Sequence, residues 1–391
     1  MNFLFVCGGT AGHINPALAI AEEARRIEPR AKILFVGAGK ELEKKLIPRA
    51  GFHLVNIKMS GFRRGLTLKN LAFDINVARA LATASVKAEE LVTRFKPDAV
   101  IGTGGYICYP VIRRAAKLCI PTFIHESNAV PGLTTKLLSA SVDKVFVSFP
   151  GLEKLYRRPE NVVLTGTPVR GGFEHVPAGK EARGGKPVVV SFWGSLGAER
   201  MNEMMTEFIM DNLSTKAFDH IHAAGRSDSA DALKSRLKKL GAPDELPPGI
   251  EIREYIDDMQ SVMERADIVM CRAGGSTIAE LTILGKPAVL IPSPYVTNNQ
   301  QIENATQVEK AGGAVMLREK DCTGQILYDT ILSMLNDPNK LKRMSEASKH
   351  LGSPDCAANI ICIIMERCGF QAIQNTGKES GYGQEDADSE K

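Results

Sequence analysis

The 391-residue sequence has one tryptophan, 6% aromatic residues and no uninterrupted apolar run near the ~18 residues that a membrane span needs. It also lacks a basic segment ahead of its first apolar run. Met1-Asn2-Phe3-Leu4-Phe5-Val6-Cys7 leads straight into glycines, so this start reads as a first strand rather than a signal peptide. The eight cysteines are scattered without a C-x-x-C pair, which argues against a zinc site and for buried thiols in a reducing cytosol. No G-x-x-x-x-G-K-[ST] is present, so hydrolysis by a P-loop is disfavoured. No G-x-G-x-x-G is present either, and a nicotinamide dinucleotide is a poor fit. Charge of one sign is lacking too: 49 Lys+Arg stand against 45 Asp+Glu. The acidic stretch 374–391 hides part of the positive excess and leaves a body of about +7. That balance suits anionic ligands or an anionic membrane surface. With so few aromatics, no nucleic-acid partner is expected.

What is present is enough apolar sequence, 44%, to bury two cores, in a chain longer than one core usually organises. Short β-rich runs at 2–7, 32–36, 98–102, 121–125, 143–148 and 162–165 alternate with helical stretches such as 16–27 and 68–91. A second alternating set has strands at 188–193, 219–223, 251–254, 267–271, 288–292 and 314–317. This is βαβ alternation with near-continuous apolar strands, which predicts parallel sheets covered on both faces. Periodicity breaks at 171–186, where Gly, Pro and charge dominate. The expected division is therefore a first Rossmann-like domain over 1–170, a linker over 171–186 and a second Rossmann-like domain over 187–352. A helix over 353–373 would return to the first domain, and the tail 374–391 would be disordered. Two such halves predict an α/β fold with a ligand cleft between the carboxyl ends of facing sheets.

Four glycine-centred loops follow strands: Gly8 to His13, Gly102 to Tyr106, Gly194 to Ala198 and Ala273 to Thr277. Glycine lets backbone N–H groups approach a ligand, and the following helix points its positive end at any phosphate there. One such loop is an ordinary βα turn; four together favour diphosphate binding. Ser276 or Thr277 can cap the helix after Arg272-Ala273-Gly274-Gly275. Glu280 either accepts hydrogen bonds from a ribose diol or closes a capping box with Thr277. His13 stands at a helix start, where the positive dipole end keeps it neutral; it is either a general base or a packed or capping histidine. His125-Glu126-Ser127-Asn128 is either a ligand-binding edge or an ordinary loop. Arg170 either binds phosphate or pairs with a surface carboxylate.

Together these blocks resemble a known family. Cys7-Gly8-Gly9-Thr10-Ala11-Gly12-His13-Ile14-Asn15-Pro16-Ala17-Leu18-Ala19 is similar to the opening signature of the family-28 N-acetylglucosaminyltransferases of peptidoglycan synthesis. The similarity continues through Gly102-Thr103-Gly104-Gly105-Tyr106, the His125 and Gly166 blocks, Gly194 to Ala198, Tyr255-Ile256-Asp257-Asp258-Met259, Cys271 to Glu280 and Asn299-Gln300-Gln301 with Asn304-Ala305. The blocks keep family order from residue 2 to about 370. The resemblance implies a GT-B fold and inverting, metal-independent transfer of N-acetylglucosamine from UDP to the 4-hydroxyl of a lipid-linked muramyl-pentapeptide, without cofactor.

By the same resemblance Ile256 contacts uracil through its backbone and Glu280 takes the ribose. Ser195 with Gly275, Ser276 and Thr277 takes the diphosphate, which Arg170 also reaches. Gln300 and Gln301 bind the sugar, while Thr10, Ala11, Gly12 and Asn128 approach from the first domain. Tyr106, Arg272 and Asn304 complete the matching substrate-binding blocks. His13 is the implied base, with Glu126 orienting it or substituting for it. Ala11 and Leu196 depart from the family pattern. Ala11 has no glycine-like freedom, so that loop is expected to sit differently.

A lipid acceptor implies a peripheral protein at the cytoplasmic face of the bacterial membrane. Lys58 to Gly65, the stripe Leu68, Leu71, Ala72 and Ile75, and Arg113, Arg114 and Lys117 are the segments expected on anionic lipid; the stripe also fits a core-facing helix. Competing readings are another GT-B transferase such as a diacylglycerol galactosyltransferase, a UDP-N-acetylglucosamine 2-epimerase, and an inactive sugar-nucleotide sensor.

Overall fold

Strands buried on both faces need almost unbroken apolar sequence, and Phe3-Leu4-Phe5-Val6-Cys7 supplies it: all five are fully buried. They form the centre of a parallel sheet. The computed structural model describes residues 1–57, 59, 70–170, 173, 185–194, 197–226 and 229–370, with the backbone alone at 70–78 and at Thr297. Ser195 and Leu196, the basic segment 60–69 with Lys58, the stripe side chains at 71–75, most of the expected linker and the tail from 371 lie outside what is described.

The first half runs β1 (Asn2–Cys7), α1 (Ala11–Ile27), β2 (Lys32–Gly37), α2 (Glu41–Arg49), β3 (His53–Asn56), α3 (Asn70–Phe95) and β4 (Ala99–Gly104). It continues with α4 (Cys108–Lys117), β5 (Thr122–Glu126), α5 (Leu133–Leu138), β6 (Lys144–Val147) and β7 (Val162–Leu164). The second half runs β8 (Val188–Phe192), α6 (Glu199–Thr215), β9 (Asp219–Ala223), α7 (Ala230–Lys239), β10 (Ile250–Arg253), α8 (Met259–Arg265) and β11 (Ile268–Cys271). Then come α9 (Gly275–Ile283), β12 (Ala288–Leu290), α10 (Gln300–Lys310), β13 (Ala314–Met316), α11 (Gly324–Leu335), α12 (Pro338–His350) and α13 (Cys356–Arg367).

Among the described residues these strands make two all-parallel sheets, in the orders β3-β2-β1-β4-β5-β6-β7 and β10-β9-β8-β11-β12-β13. Each reverses direction once, between β1 and β4 and between β8 and β11. Open α/β sheets bind ligands outside the strand carboxyl ends at such a reversal. All four glycine loops are there, two per sheet: those after β1 and β4, and those after β8 and β11.

Several details differ from the sequence reading. Strand β3 was not anticipated: His53-Leu54-Val55-Asn56 is a four-residue, mostly exposed edge strand without an apolar run. Helix α1 begins at Ala11, ahead of Pro16, which lies inside it. Helix α13 covers the first sheet: Ile360, Ile361 and Ile364 share one core with Phe3, Phe5 and Phe35. The Phe5 and Phe35 rings stack with centroids 5.2 Å apart. Arg367 Nε donates to Asp143 Oδ1 at 2.9 Å at the far end of α13. The chain returns to the first half ahead of α13, and there Gly166 (φ +86°), after β7, closely faces it: a Cβ on Gly166 would lie 2.5 Å from Ser353 Cβ.

Candidate functional site

The first glycine loop is shaped by a buried acid. Glu43, fully buried on α2, accepts Gly9 N–H at 2.9 Å through Oε1. Its Oε2 accepts Gly39 N–H at 2.8 Å and Lys40 N–H at 3.0 Å. A Cβ on Gly37 would stand 2.5 Å from Oε2, so only glycine admits the carboxylate there. Gly9 itself turns with φ +88°. Ala11, by contrast, is the first residue of α1 and has no left-handed φ, so the expected displacement of this loop by alanine has no basis in the backbone.

His13 follows in the first turn of α1. Its Nδ1 donates to Gly8 O at 2.8 Å, because a carbonyl can only accept, and this leaves the Nε2 lone pair free. The second loop makes room for the ring. A Cβ on Gly104 would lie 2.4 Å from His13 Cδ2, and one on Gly105 would lie 2.7 Å from Gly8 O. Thr103 Oγ1 donates to His13 O at 2.6 Å, tying β4 to α1. Tyr106 is half-buried beside this loop, and burial raises its phenol pKa. Thr10 is exposed at the cap position, and Ala11 and Gly12 open the helix.

Glu126 was expected to act on or in place of His13. It makes no hydrogen bond to it. Its Oε1 accepts Asn128 N and Nδ2 at 3.2 and 2.9 Å, and its Oε2 accepts Gly132 N and Thr135 Oγ1 at 2.9 and 2.8 Å. Four donors saturate the carboxylate, which makes it the anchor of the loop after β5. Next to it His125 Nε2 donates to Gly166 O at 2.9 Å, and burial pushes its pKa down to about 4.

On the second sheet, α9 begins with Gly274 as its cap residue, so Gly275, Ser276 and Thr277 present the free N–H groups of its first turn. Ser276 Oγ is buried without a partner. With Gly274 as the cap, Glu280 is three positions too deep for a capping box, which removes that reading. Glu280 is half-buried, its carboxyl has no hydrogen-bond partner among the described residues, and desolvation pushes its pKa up to about 7. Ile256 is buried, while Tyr255 beside it is exposed. A cavity of about 650 Å³ adjoins the α9 start, lined by Trp193, Gly194, Arg200, Arg272, Thr277 and Gln301.

Five expected ligands are already engaged. Arg272 donates to Ile291 O at 3.1 Å and pairs with buried Glu319 at 2.7 Å; neither partner was anticipated. Arg170 pairs with Glu22 of α1, Nη2 to Oε1 at 2.5 Å, which is the surface-carboxylate alternative. Asn304 is fully buried: its Oδ1 accepts Ala129 N–H at 2.7 Å, and its Nδ2 donates to Asn128 Oδ1 and Ala273 O, each at 3.1 Å. It fastens the two halves together and presents nothing to a substrate. Gln301 Oε1 accepts Ser293 N–H at 2.8 Å, and Gln300 Nε2 donates to Val130 O at 3.0 Å across the boundary.

The halves meet closely at one more point. A Cβ on Gly275 would stand 2.4 Å from Ser127 O, so the α9 start abuts the loop after β5. Helices α1 and α9 also pack against one another. The His13 helix and the Glu280 helix thus share one interdomain cleft. Glu43 was legible only as an acid three residues into a helix after Gly37-Ala38-Gly39, within a run of charge that reads as solvated surface.

The chain matches the glycosyltransferase family 28 N-terminal domain over residues 3–147 and the C-terminal domain of the same family over residues 188–360. It is 41% identical over 373 residues to a protein of Acetivibrio thermocellus named UDP-N-acetylglucosamine–N-acetylmuramyl-(pentapeptide) pyrophosphoryl-undecaprenol N-acetylglucosamine transferase, covering 94% of this chain and 98% of that one. A protein of the same name from Caldanaerobacter subterraneus is 42% identical over 369 residues, covering 93% and 99%. The crystal structure of Acinetobacter baumannii MurG superposes with a TM-score of 0.73 at 23% identity, over 94% of this chain and all of that one, which shows the shared GT-B fold. With both family domains matched in order and the glycine loops gathered at one cleft, the chain belongs to glycosyltransferase family 28, among the transferases that carry this name.

Proposed function

We propose that this enzyme transfers N-acetylglucosamine from UDP-N-acetylglucosamine to the 4-hydroxyl of the muramyl sugar of a pyrophosphoryl-undecaprenol-linked muramyl-pentapeptide. One observation carries the reading. Ser276 Oγ, buried without a partner, and the half-buried Glu280 carboxyl, which no described residue hydrogen-bonds, stand on the first two turns of α9 at the cleft. A diphosphate suits the first turn, where N–H groups and the dipole favour negative charge. A ribose diol suits the carboxylate. The uracil then belongs beside Ile256, and the sugar beside Gln300 and Gln301.

The reaction is a direct displacement. The acceptor O4 forms a bond to C1 of the donor sugar as the C1–phosphate oxygen bond breaks, and the departing pair stays on UDP. The hydroxyl proton goes to His13 Nε2. The charge to be stabilised develops on UDP, where the α9 amides point. Attack from the face opposite the leaving group inverts C1. The domain division at 171–186 and the return of α13 give the cleft two crossings about which to open.

No helix among the described residues is long and apolar enough to cross a membrane. A lipid-linked acceptor is then reached from the surface of the bilayer. Arg113 and Lys117 are exposed on α4 with Leu118, whereas Arg114 is paired with Glu89. We place this face, on the half that carries His13, toward anionic lipid.

The deciding assay is UDP release from UDP-N-acetylglucosamine in EDTA, with and without a short-chain lipid-linked muramyl-pentapeptide. Release that depends on acceptor supports the reading. Bound nucleotide without release under both conditions sinks it and leaves only a sugar-nucleotide site.

A further inference from the structure

Gly8 C=O and Gly9 N–H belong to one peptide group. Its N–H donates to Glu43 Oε1 at 2.9 Å, and its carbonyl accepts His13 Nδ1–H at 2.8 Å. We propose that Glu43 is a positioning residue for His13, acting through this peptide group as a carboxylate–amide–imidazole relay. The inference rests on His13 as the base. A carboxylate that accepts an N–H polarises the same amide toward its oxygen, so the carbonyl becomes a stronger acceptor for Nδ1–H. That fixes the tautomer with the Nε2 lone pair free, and it favours the imidazolium formed when Nε2 takes the acceptor proton. The charge is delivered without the carboxylate entering the cleft, where it would repel the departing diphosphate.

The surroundings are built for this geometry. Gly8, Gly37 and Gly105 each lack the Cβ that would crowd Glu43 or the Gly8 carbonyl, at 3.1, 2.5 and 2.7 Å respectively. Glu43 is fully buried, and its two remaining bonds, to Gly39 and Lys40 N–H, hold it still. Other titratable groups face the pair without competing. His125 on β5 is kept neutral by burial, as are Cys7 on β1, Cys108 on α4 and Tyr106 after β4. On α1, Glu22 and Glu23 are paired with Arg170 and Arg26, and Glu280 is the titratable side chain of α9.

The test compares Glu43→Gln, Glu43→Asp and His13→Gln by pH profile. In Glu43→Gln, kcat should fall about 10-fold with KM for UDP-N-acetylglucosamine held within about 2-fold. The acidic limb of the profile should move down by about half to one pH unit, because the base has lost its anion. Glu43→Asp keeps the charge, so its limb should stay near the wild-type position even where the rate drops. A limb that Glu43→Gln leaves in place overturns the relay. Should Glu43→Gln not fold, ¹⁵N spectra of the wild-type histidines decide instead. His13 must carry its proton on Nδ1, and an Nε2–H form overturns the proposal. His13→Gln separates the two readings. If it abolishes turnover while Glu43→Gln leaves the limb unmoved, the relay alone falls; if it retains turnover and limb, the base assignment falls.

Discussion

Asn304 Nδ2 donates to Asn128 Oδ1 at 3.1 Å, joining α10 of one sheet to the loop after β5 of the other. The same amide accepts Ala129 N–H and donates to Ala273 O, so one side chain holds both halves. Truncation in Asn304→Ala leaves buried donors and acceptors unpaired, at a cost of about 1–3 kcal/mol each way. The interface should loosen while the second sheet stays intact. We expect acceptor-dependent kcat to fall about 10-fold or more, UDP affinity to change less than about 3-fold, and the radius of gyration by small-angle scattering to rise. Unaltered turnover would show that this stitch is not needed for catalysis.

Glu280 gives a pH dependence with a definite sign. Its ordinary pKa is 4.5, and burial pushes it up to about 7 in the fold. Below about 4.5 both folded and unfolded chains hold the proton, and the group has no effect. As pH rises toward 7 the unfolded chain releases its proton first, so the group costs stability, in full above about 7. Glu280→Gln removes that cost: the melting temperature of the ligand-free protein should rise at about pH 8 and stay level near pH 4.5. A ribose diol donates to the ionised carboxylate, so UDP should bind the wild type more tightly at about pH 8 than at about pH 6. The variant should bind weakly and without that slope. Calorimetry at the two pH values checks both, and equal wild-type affinities would remove Glu280 from the ribose.

Much of this is legible in the sequence alone. Apolar strands and glycine punctuation are local signals, so both sheets and all four loops were readable, and so was the pairing of loops into one cleft. What escaped depends on contacts distant in sequence. Glu43 reads as one charge in a solvated run until Gly9, 34 residues away, is brought to it. Glu319 reads as surface until Arg272 pairs with it. Asn304 sits in a substrate-binding block, and only the approach of Asn128, 176 residues away, shows that its amide is spent on the interface. Edge strand β3 was missed because half-exposed residues carry no apolar run.

Ala11 and Gly9 allow a direct test of which residue the first loop requires. Ala11 lies at the first position of α1, where alanine is an excellent helix former. Gly9 is the residue with φ +88°, and no atom lies within 4 Å of where its Cβ would be. Gly9→Ala is therefore strained through its backbone alone, by about 1–2 kcal/mol. It should lower kcat about 10-fold by shifting the peptide group that holds His13, with donor affinity preserved. Ala11→Gly should leave kcat within about 2-fold and lower the melting temperature slightly. A reversed order of the two effects would mean that the loop is positioned from Ala11.

Acid stability reports on the core of the second half. Ser191 Oγ bridges His220 Nε2 at 2.8 Å and His222 Nδ1 at 2.7 Å, with all three residues fully buried. Burial holds His220 well below its ordinary 6.5, and His125 in the first half is pushed down to about 4. Both are neutral in the fold, whereas the unfolded chain protonates each near 6.5. Their stabilisation is complete above about pH 6.5 and is lost as pH falls, by about 1.4 kcal/mol per pH unit for each histidine. His125 stops contributing near pH 4. Carboxylates titrate in the same range, so the difference between two proteins isolates the histidine. In His220→Phe, whose ring would sit among Phe208 and Phe218, the slope of unfolding free energy against pH between about 6 and 4.5 should drop by one histidine's share. Overpacking by the larger ring shifts the whole line without tilting it. Urea unfolding at four pH values measures the slope, and identical slopes would mean that His220 takes up its proton without unfolding the domain.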